Sequence, residues 1–336
     1  MNGGFGAVIL DPLGHRLSAA EKALFAAADP FGFILFARNI DTPDQVRALC
    51  DELRAAVGRD APVTIDQEGG RVQRLRAPLW REWLPPLEQM QRAGPDYIDA
   101  MYIRYRLIAE ELRALGIDSN CAPMVDIATP DTHAFLKNRC YGDDPAVVAR
   151  AGRAAADGML AGGVLPVLKH IPGHGRAQVD SHFDLPVVSA DARVLGQTDF
   201  TPFALLSDLP MAMTAHVVYS AFDTAPATLS PRMIEVIRRD IGFDGLIMTD
   251  DIAMKALSGG LTDLSRAALD AGCDVVLHCN GSLDEKRAVL DAAGRLSEVG
   301  QRRALRALSQ RRAPDTVDIA ALAAKLEALL NGRLHV

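Results

Sequence analysis

The sequence is poor in aromatic residues, has no long apolar run and has no excess of positive charge. Aromatic residues make up 5% of its 336 residues, and the formal net charge is -7. Phosphate backbones and anionic lipid surfaces repel an acidic chain, so we expect neither nucleic acid nor a membrane surface as a partner. No uninterrupted apolar stretch approaches the roughly 20 residues that a transmembrane helix needs.

The cysteines form neither a metal-binding nor a disulfide pattern. The first residues, Met-Asn-Gly-Gly-Phe-Gly, contain no basic region before an apolar segment, which predicts no secretory signal. The cysteines are scattered, odd in number and lack zinc-ligand spacing, so we expect reduced thiols, most of them in a core. They are Cys50, Cys121, Cys140, Cys273 and Cys279. Together these features predict a soluble, cytoplasmic protein.

Short apolar runs alternate with helical segments along the chain. One helix is predicted from Ser18, where Glu21 completes a capping box, and another after Thr42, with Pro43 at its first position. Eight strand and helix units predict an α/β fold with parallel strands, a single (β/α)8 TIM-type barrel. We expect one catalytic domain over residues 1–336, with the barrel at about 5–300 and extra C-terminal helices at 301–336. The predicted strands cover residues 7–10, 31–36, 62–65, 118–125, 164–168, 211–214, 245–249 and 274–277.

Titratable residues concentrate in the stretch 164–186. Its apolar run, residues 164–168, is followed by Lys169 and His170 and then by a glycine-rich loop. The carboxyl ends of parallel strands carry the active sites of such barrels, so this loop is the first candidate for function. The loop also contains His174, Asp180 and His182.

Two kinds of chemistry remain open for this loop. Its histidines and Asp180 could ligate a metal ion, as His/Asp clusters do in hydrolase barrels. Alternatively, Asp180 could orient the imidazole of His182 and raise its basicity. An imidazole titrates near neutral pH, so it can donate a proton and later take one back.

Ionisable residues at the other strand ends suit a hydroxyl-rich ligand such as a sugar. A buried carboxylate facing a proton donor is what retaining glycoside hydrolysis requires. Asp250 and Asp251 cannot both be that carboxylate, because adjacent strand residues point to opposite sides, and parity does not choose between them. The residues expected at this face are Asp66, Arg74, Arg139, Lys169, His170, His174, Asp180, His182, His216 and Asp250.

Five short segments, in one order along most of the chain, carry a family resemblance. In them the sequence resembles the bacterial β-N-acetylglucosaminidases of glycoside hydrolase family 3, the peptidoglycan-recycling branch. Asp-Ser-His separates that branch from relatives with a carboxylic acid donor. The segments are Asp-Gln-Glu-Gly-Gly-Arg-Val at 66–72, Lys-His-Ile-Pro-Gly-His-Gly at 169–175, Asp-Ser-His at 180–182, Thr-Ala-His at 214–216 and Thr-Asp-Asp at 249–251.

The resemblance implies a role for each matched residue. Asp250 matches the nucleophile, and His182 matches the general acid/base that Asp180 tunes. The reaction implied is retaining exo-hydrolysis, through a covalent glycosyl-aspartate, of terminal N-acetylglucosamine β-linked to 1,6-anhydro-N-acetylmuramic acid, with or without a stem peptide. No metal and no organic cofactor are implied, and we expect a monomer whose partner is a small muropeptide or amino sugar. The sugar-binding positions matched are Asp66, Arg74, Arg139, Lys169 and His170.

Several alternatives to this interpretation stay open. They are a metal-dependent barrel hydrolase using the His/Asp cluster, cleavage assisted by the acetamido oxygen, phosphorolysis, and a non-catalytic sugar-binding barrel. In the favoured mechanism, Gly173 and Gly175 are expected to let the loop close over the sugar and bring His182 to the glycosidic oxygen.

Overall fold

The computed structural model describes residues 4–179 and 184–331, and within them eight strands form one parallel sheet. Its order is β3-β2-β1-β8-β7-β6-β5-β4, so each strand lies beside its neighbours in the chain, with β1 and β8 adjacent. The strands are β1 (Gly6–Leu10), β2 (Pro30–Leu35), β3 (Val63–Ile65), β4 (Ser119–Asn120), β5 (Leu165–Ile171), β6 (Met211–Thr214), β7 (Leu246–Asp251) and β8 (Val275–His278).

Backbone hydrogen bonds between β3 and β4 close this sheet into a barrel. The N–H of Asp118 donates to the carbonyl of Val63 at 3.1 Å, and the N–H of Cys121 donates to that of Ile65 at 2.8 Å. Helical segments follow each strand. The predicted α/β fold with a (β/α)8 barrel is therefore confirmed.

Two strands differ from the prediction by two or more residues in length. The strand expected over 118–125 is short, because Pro123 has no N–H to continue a ladder. Only one isolated bridge, from Met124 to Lys169, continues the pairing beyond it. In contrast, β5 runs past residue 168 to Ile171, because Lys169 is paired inside the barrel rather than exposed at a strand end.

The helices begin where the sequence predicts caps. Ser18 accepts from the N–H of Glu21 at 3.2 Å, and the Glu21 carboxylate accepts from the N–H of Ser18 at 2.9 Å, which confirms the capping box. Thr42 caps the second helix by accepting from the N–H of Gln45. The helices are α1 (Ala19–Ala28), α2 (Pro43–Val57), α3 (Pro86–Ala93), α4 (Tyr97–Arg113), α5 (Ala134–Lys137), α6 (Pro145–Ala161), α7 (Ala192–Gln197), α8 (Thr201–Leu205), α9 (Pro231–Glu235), α10 (Leu261–Ala271), α11 (Leu283–Ala293), α12 (Glu298–Leu308) and α13 (Ile319–Asn331).

Two short features lie outside the barrel sheet. After β3, where a loop was expected, Gln67–Gly69 pairs antiparallel with Val72–Gln73 as a hairpin. Its turn uses Gly69 and Gly70 at φ values of 106° and 59°, a region that glycine enters without strain. The second feature is a parallel pairing of Val187–Val188 with Val218–Tyr219.

One hydrophobic cluster extends through the barrel from Ala7 to the last helix. Leu326 of α13 is 4% exposed and belongs to this cluster. All five cysteines are buried and unpaired. The prediction that most of them lie in a core is therefore confirmed. Across the part of the chain that the structure describes, no helix has the length and apolarity to cross a bilayer.

Candidate active site

A cavity of about 340 Å³ opens at the carboxyl ends of the strands. Sites for small molecules usually enclose roughly 300–1,000 Å³, so one sugar-sized ligand fits this volume. The cavity is lined by residues from β2, β5, β6, β7, β8 and the segments that follow the strands. They include Phe36, Asp66, Arg71, Arg74, Phe135, Arg139, Lys169, His170, His174, Met213, Asp250, Asp251, Met254, Leu277, Cys279 and Asn280.

Two carboxylates and two cations, three of them on the cavity wall, form a buried network. Lys169 Nζ lies 2.9 Å from Asp66 Oδ1 and 2.7 Å from Glu68 Oε1. Arg139 grips Glu68 with two parallel bonds, Nε to Oε2 at 2.9 Å and Nη2 to Oε1 at 2.8 Å. The Lys169 and Glu68 side chains are 2% and 1% exposed. Both are paired, which is the condition for keeping charges out of water.

The pKa values show that this network is ionised at neutral pH. Burial by itself raises the pKa of the Asp66 carboxyl, but Lys169 and Arg74 outweigh it and hold that pKa well below the usual range. Burial is outweighed in the same way at Glu68, whose pKa falls to about 2 beside Arg139 and Lys169. Charged acceptors and donors at fixed positions suit the hydroxyl groups of a sugar.

Arg104 of α4 holds the backbone of the hairpin that carries Glu68. It is fully buried, and its Nη2 donates to the carbonyls of Glu68 at 2.6 Å and Leu84 at 2.7 Å. A Cβ on Gly69 would lie 1.9 Å from that nitrogen, so the guanidinium occupies the space that the glycine leaves open. Arg104 therefore fixes the backbone that carries Glu68.

Asp126 orients His170. His170 Nδ1 lies 2.7 Å from Asp126 Oδ2, and Asp126 Oδ1 accepts from the N–H of His174 at 2.6 Å. Burial opposes ionisation of Asp126, but the two histidines outweigh it and lower its pKa. A carboxylate only accepts, so Nδ1 of His170 carries the hydrogen and Nε2 is the ring nitrogen left for other contacts.

The two aspartates that end β7 have different surroundings. Asp250 lines the cavity, and its Oδ1 accepts from the N–H of Asp251 at 2.8 Å. Asp251 also borders the cavity, but its Oδ1 accepts from the N–H groups of Ala253 and Cys279, both at 3.1 Å. Asp251 thus holds the turn after β7 to the end of β8, which leaves Asp250 as the better-placed candidate for a nucleophile.

The neighbours of Asp250 keep its carboxyl ionised. Burial acts to raise the pKa of its carboxyl, but His216, His170, the N–H of Asp251 and Lys169 outweigh burial and lower it. His216 itself is fixed, with Nδ1 2.7 Å from Thr228 Oγ1 and Nε2 3.0 Å from the carbonyl of Asp251. A carboxylate that is ionised and held in place is ready for nucleophilic attack.

The sequence matches a known family over most of its length. Residues 10–308 match the glycosyl hydrolase family 3 N terminal domain. The chain belongs to glycosyl hydrolase family 3. It is therefore a glycoside hydrolase, and the enzyme class predicted from the residues is confirmed.

Relatives of this family 3 enzyme match it over nearly its whole length. A β-hexosaminidase of Methylococcus capsulatus is 37% identical over 310 residues, covering 90% of this chain and 91% of the relative. NagZ from Neisseria gonorrhoeae in complex with N-trifluoroacetyl-D-glucosamine superposes with a TM-score of 0.86 at 30% identity, covering 98% of this chain and 99% of that one. A second structure of that NagZ, in complex with zinc ion, has a TM-score of 0.81 at 30% identity and covers 98% and 97%.

Six of the eight residues to which the resemblance gives a role lie together in this family 3 barrel. Asp180 and His182 lie outside the described residues. Among the residues that are described, no group of three or more His, Cys, Asp or Glu side chains is arranged to hold a metal ion. The six residues on the cavity wall are Asp66, Arg74, Arg139, Lys169, His170 and Asp250.

Tight packing surrounds the two loop glycines. Gly173 has a φ of 138°, and its carbonyl accepts from the hydroxyl of Tyr219 at 2.5 Å. A Cβ on Gly175 would lie 1.8 Å from the carbonyl oxygen of Ile127. Close backbone packing is therefore a second reason for glycine at both positions, besides the expected closure of the loop.

Two functional residues were missed in the sequence. Glu68 belongs to the segment 66–72 but is given no role there, although it lies two positions from Asp66 and extended residues two apart share a side. Asp126 directly follows the predicted strand 118–125, and nothing in the sequence links it to His170. Its partner is set by the pairing of β4 with β5.

Proposed function

We propose that this protein is a retaining exo-β-N-acetylglucosaminidase. The observation that carries the proposal is the ionised Asp250 on the wall of a sugar-sized cavity, a wall that also includes Asp66, Lys169 and Arg139 of the buried network. The β-hexosaminidase relatives and the amino-sugar complex of NagZ support N-acetylglucosamine as the sugar released.

In the proposed mechanism Asp250 and His182 act from opposite sides of the glycosidic bond. The Asp250 carboxylate attacks the anomeric carbon while the His182 imidazolium protonates the leaving oxygen, so the leaving group departs as an alcohol. Neutral His182 then takes a proton from water, and the resulting hydroxide displaces Asp250 from the sugar. Asp180 orients His182 and stabilises the charge on its ring. The assignments of Asp180 and His182 rest on the sequence resemblance.

The terminal sugar is held by the charged wall of the cavity. Asp66 accepts hydrogen bonds from sugar hydroxyls, and Arg74, Arg139, Lys169 and His170 complete the set proposed to bind it. Their ion pairs fix them before substrate arrives, so little side-chain ordering is needed on binding.

The proposal extends to a substrate and a biological role. The natural substrate is N-acetylglucosamine linked to 1,6-anhydro-N-acetylmuramic acid, with or without a stem peptide, and the role is peptidoglycan recycling in the cytoplasm. The enzyme acts as a monomer built from one catalytic domain over residues 1–336. Its chemistry needs neither a metal nor an organic cofactor.

Activity on two aryl glycosides with a chelator present tests the proposal. We expect turnover of 4-nitrophenyl N-acetyl-β-glucosaminide, much slower turnover of the plain β-glucoside and no effect of the chelator. Activity that disappears with chelator and returns with zinc would instead favour the metal-dependent hydrolase, an alternative that the zinc complex of NagZ makes worth testing.

Product analysis completes the test. Free N-acetylglucosamine released at the same rate with and without inorganic phosphate supports hydrolysis. A sugar phosphate as the main product would establish phosphorolysis. A trapped glycosyl-aspartate at Asp250 would exclude attack by the acetamido oxygen.

A further inference from the structure

Arg71 differs from the other cations that line the cavity. Lys169, Arg74 and Arg139 each have a carboxylate partner. Arg71 also lines the cavity, yet it makes no ion pair with any residue in 4–179 or 184–331. Its charge is therefore available to an anion that enters the cavity.

Contacts with Phe135 hold the Arg71 guanidinium in place. Nη1 of Arg71 donates to the carbonyl of Phe135 at 3.1 Å, and the guanidinium carbon lies 5.7 Å from the centre of the Phe135 ring. The ring of Phe135 in turn packs edge-on against His174 at 6.2 Å. The side chain is thus oriented without being neutralised, and its other N–H groups can bind a ligand.

The location of Arg71 separates it from the proposed sugar site. It is exposed in the turn of the hairpin, whereas Lys169 and Glu68 are almost fully buried. A terminal sugar bound to the buried network leaves the departing group nearer the mouth of the cavity. An exposed arginine there would contact that group rather than the sugar that is cleaved.

We propose that Arg71 binds a carboxylate carried by the leaving group and so makes the enzyme selective for anionic glycosides. This inference rests on the proposed function, and it adds the charge of the leaving group to the definition of the substrate. The carboxylate has two possible sources in a muropeptide, the lactyl group of the muramoyl sugar and the acidic residues of the peptide. Both offer the planar pair of oxygens that a guanidinium binds with two parallel hydrogen bonds.

A substrate series tests this in the full-length enzyme. The substrates are 4-nitrophenyl N-acetyl-β-glucosaminide, the disaccharide with a free lactyl carboxylate, the same disaccharide as its neutral lactyl amide, and the peptide-bearing disaccharide. For Arg71→Met we expect the ratio of kcat/KM for charged over neutral substrates to fall about fivefold, the scale of a partly exposed charge pair. In wild type, added salt should reduce the same ratio, because it screens exposed charges.

Two further variants control for charge and for structure. Arg71→Lys keeps the charge without the planar fork, so we expect it to retain part of the selectivity and all of the salt dependence. Arg92→Met removes an exposed arginine of α3, one that pairs with Glu88 and is absent from the cavity wall. Its ratio should match that of wild type.

The outcomes are distinguishable. A loss confined to the free lactyl acid identifies that carboxylate as the ligand, and a loss confined to the peptide-bearing substrate identifies the peptide. Equal losses on charged and neutral substrates in Arg71→Met would overturn the inference and leave Arg71 as a support for Phe135. Failure of the proposed function would look different, because wild type would then turn over no N-acetylglucosaminide at all.

Discussion

At the scale of single residues, the two aspartates at the end of β7 allow a matched comparison. We expect Asp250→Asn to lower kcat by about a thousandfold or more, because an amide cannot act as the covalent nucleophile. The fold should persist, since the substitution keeps the shape of the side chain. Initial rates on 4-nitrophenyl N-acetyl-β-glucosaminide, with circular dichroism as the check on folding, measure the effect.

Asp251→Asn provides the control for that substitution. It weakens a carboxylate that accepts from the N–H groups of Ala253 and Cys279, so its main effect should be on stability. If Asp251→Asn proved as inactive as Asp250→Asn while remaining folded, the assignment of the nucleophile would be wrong.

The role proposed for His182 predicts a dependence on the leaving group. A proton donor matters most when the departing oxygen is a poor leaving group, so we expect His182→Ala to slow cleavage of an alkyl N-acetylglucosaminide far more than that of the 4-nitrophenyl glycoside. Comparing kcat/KM for the two substrates in wild type and variant measures this difference. Equal losses on both would argue against proton donation.

Individual site residues could be predicted from the sequence where they share a segment with a motif. Asp66, Lys169, His170 and Asp250 follow apolar runs, and the carboxyl ends of parallel strands converge on one face. The residues that hold these side chains in place could not be predicted in the same way. Arg104 lies in the middle of a helix, and its contacts with the carbonyls of Glu68 and Leu84 arise only when that helix packs against the hairpin.

At the scale of elements, the Glu68 pairs tie the hairpin to β5 and to Arg139, and this makes stability depend on pH. The pKa of Glu68 is lowered to about 2 in the folded protein, so its contribution is present above the unfolded value and is lost as pH falls. We expect Glu68→Gln to lower the free energy of unfolding by about 3 kcal/mol at neutral pH, because it leaves buried cations short of a partner. Urea unfolding between about pH 7 and pH 3 should show that the difference in free energy of unfolding between wild type and Glu68→Gln becomes smaller as pH falls.

Glu82→Gln is the matched control for the Glu68 substitution. Glu82 pairs with Arg76 at the surface, where an ion pair contributes about 1 kcal/mol or less. Its effect should be small at every pH. If the difference in free energy of unfolding between wild type and Glu68→Gln stayed constant from neutral to acid pH, the pKa of Glu68 would not be lowered in the folded state.

The loop after β5 depends on close packing at Gly175. A methyl group there would meet the carbonyl oxygen of Ile127 at 1.8 Å, so we expect Gly175→Ala to lower the free energy of unfolding by about 1–3 kcal/mol. Gly196 of α7 has nothing within 4 Å of its would-be Cβ, so Gly196→Ala should instead stabilise by about 0.5–1 kcal/mol. Urea midpoints for the two variants should therefore move in opposite directions. An unchanged midpoint for Gly175→Ala would leave conformational freedom as the reason for that glycine.

Helix starts were easier to predict than strand ends. Ser18 and Thr42 cap their helices through contacts within one turn of chain, so the signal is local. The end of β5 depends on a distant partner: Lys169 stays inside the barrel because Asp66 and Glu68 neutralise it. A strand predicted from apolar residues ends before the first charged residue, here Lys169. The predicted strand therefore stops at residue 168, whereas β5 continues to Ile171.

At the scale of the whole molecule, the two ends of the chain contribute to one core. Leu326 near the C-terminus is buried in the cluster that contains the barrel strands, and Lys325 pairs with Asp99 of α4 at 2.8 Å. The N–H of Asp315 donates to the carbonyl of Ala161 at the end of α6. These contacts support the proposal that the C-terminal helices, described to residue 331, belong to the barrel domain rather than to a separate unit.

If the chain is one domain, α13 and the hairpin region should unfold together. The only two tryptophans, Trp80 and Trp83, lie after the hairpin and report on that region by fluorescence, while circular dichroism reports on all helices including α13. We expect urea transitions from the two probes to coincide. Leu326→Ala should shift both by the same amount, equivalent to about 2–4 kcal/mol, whereas Leu305→Ala, at a side chain that is 51% exposed, should shift neither. A dichroism transition in Leu326→Ala that precedes the fluorescence change would show that the C-terminal helices unfold on their own, which would contradict the single domain.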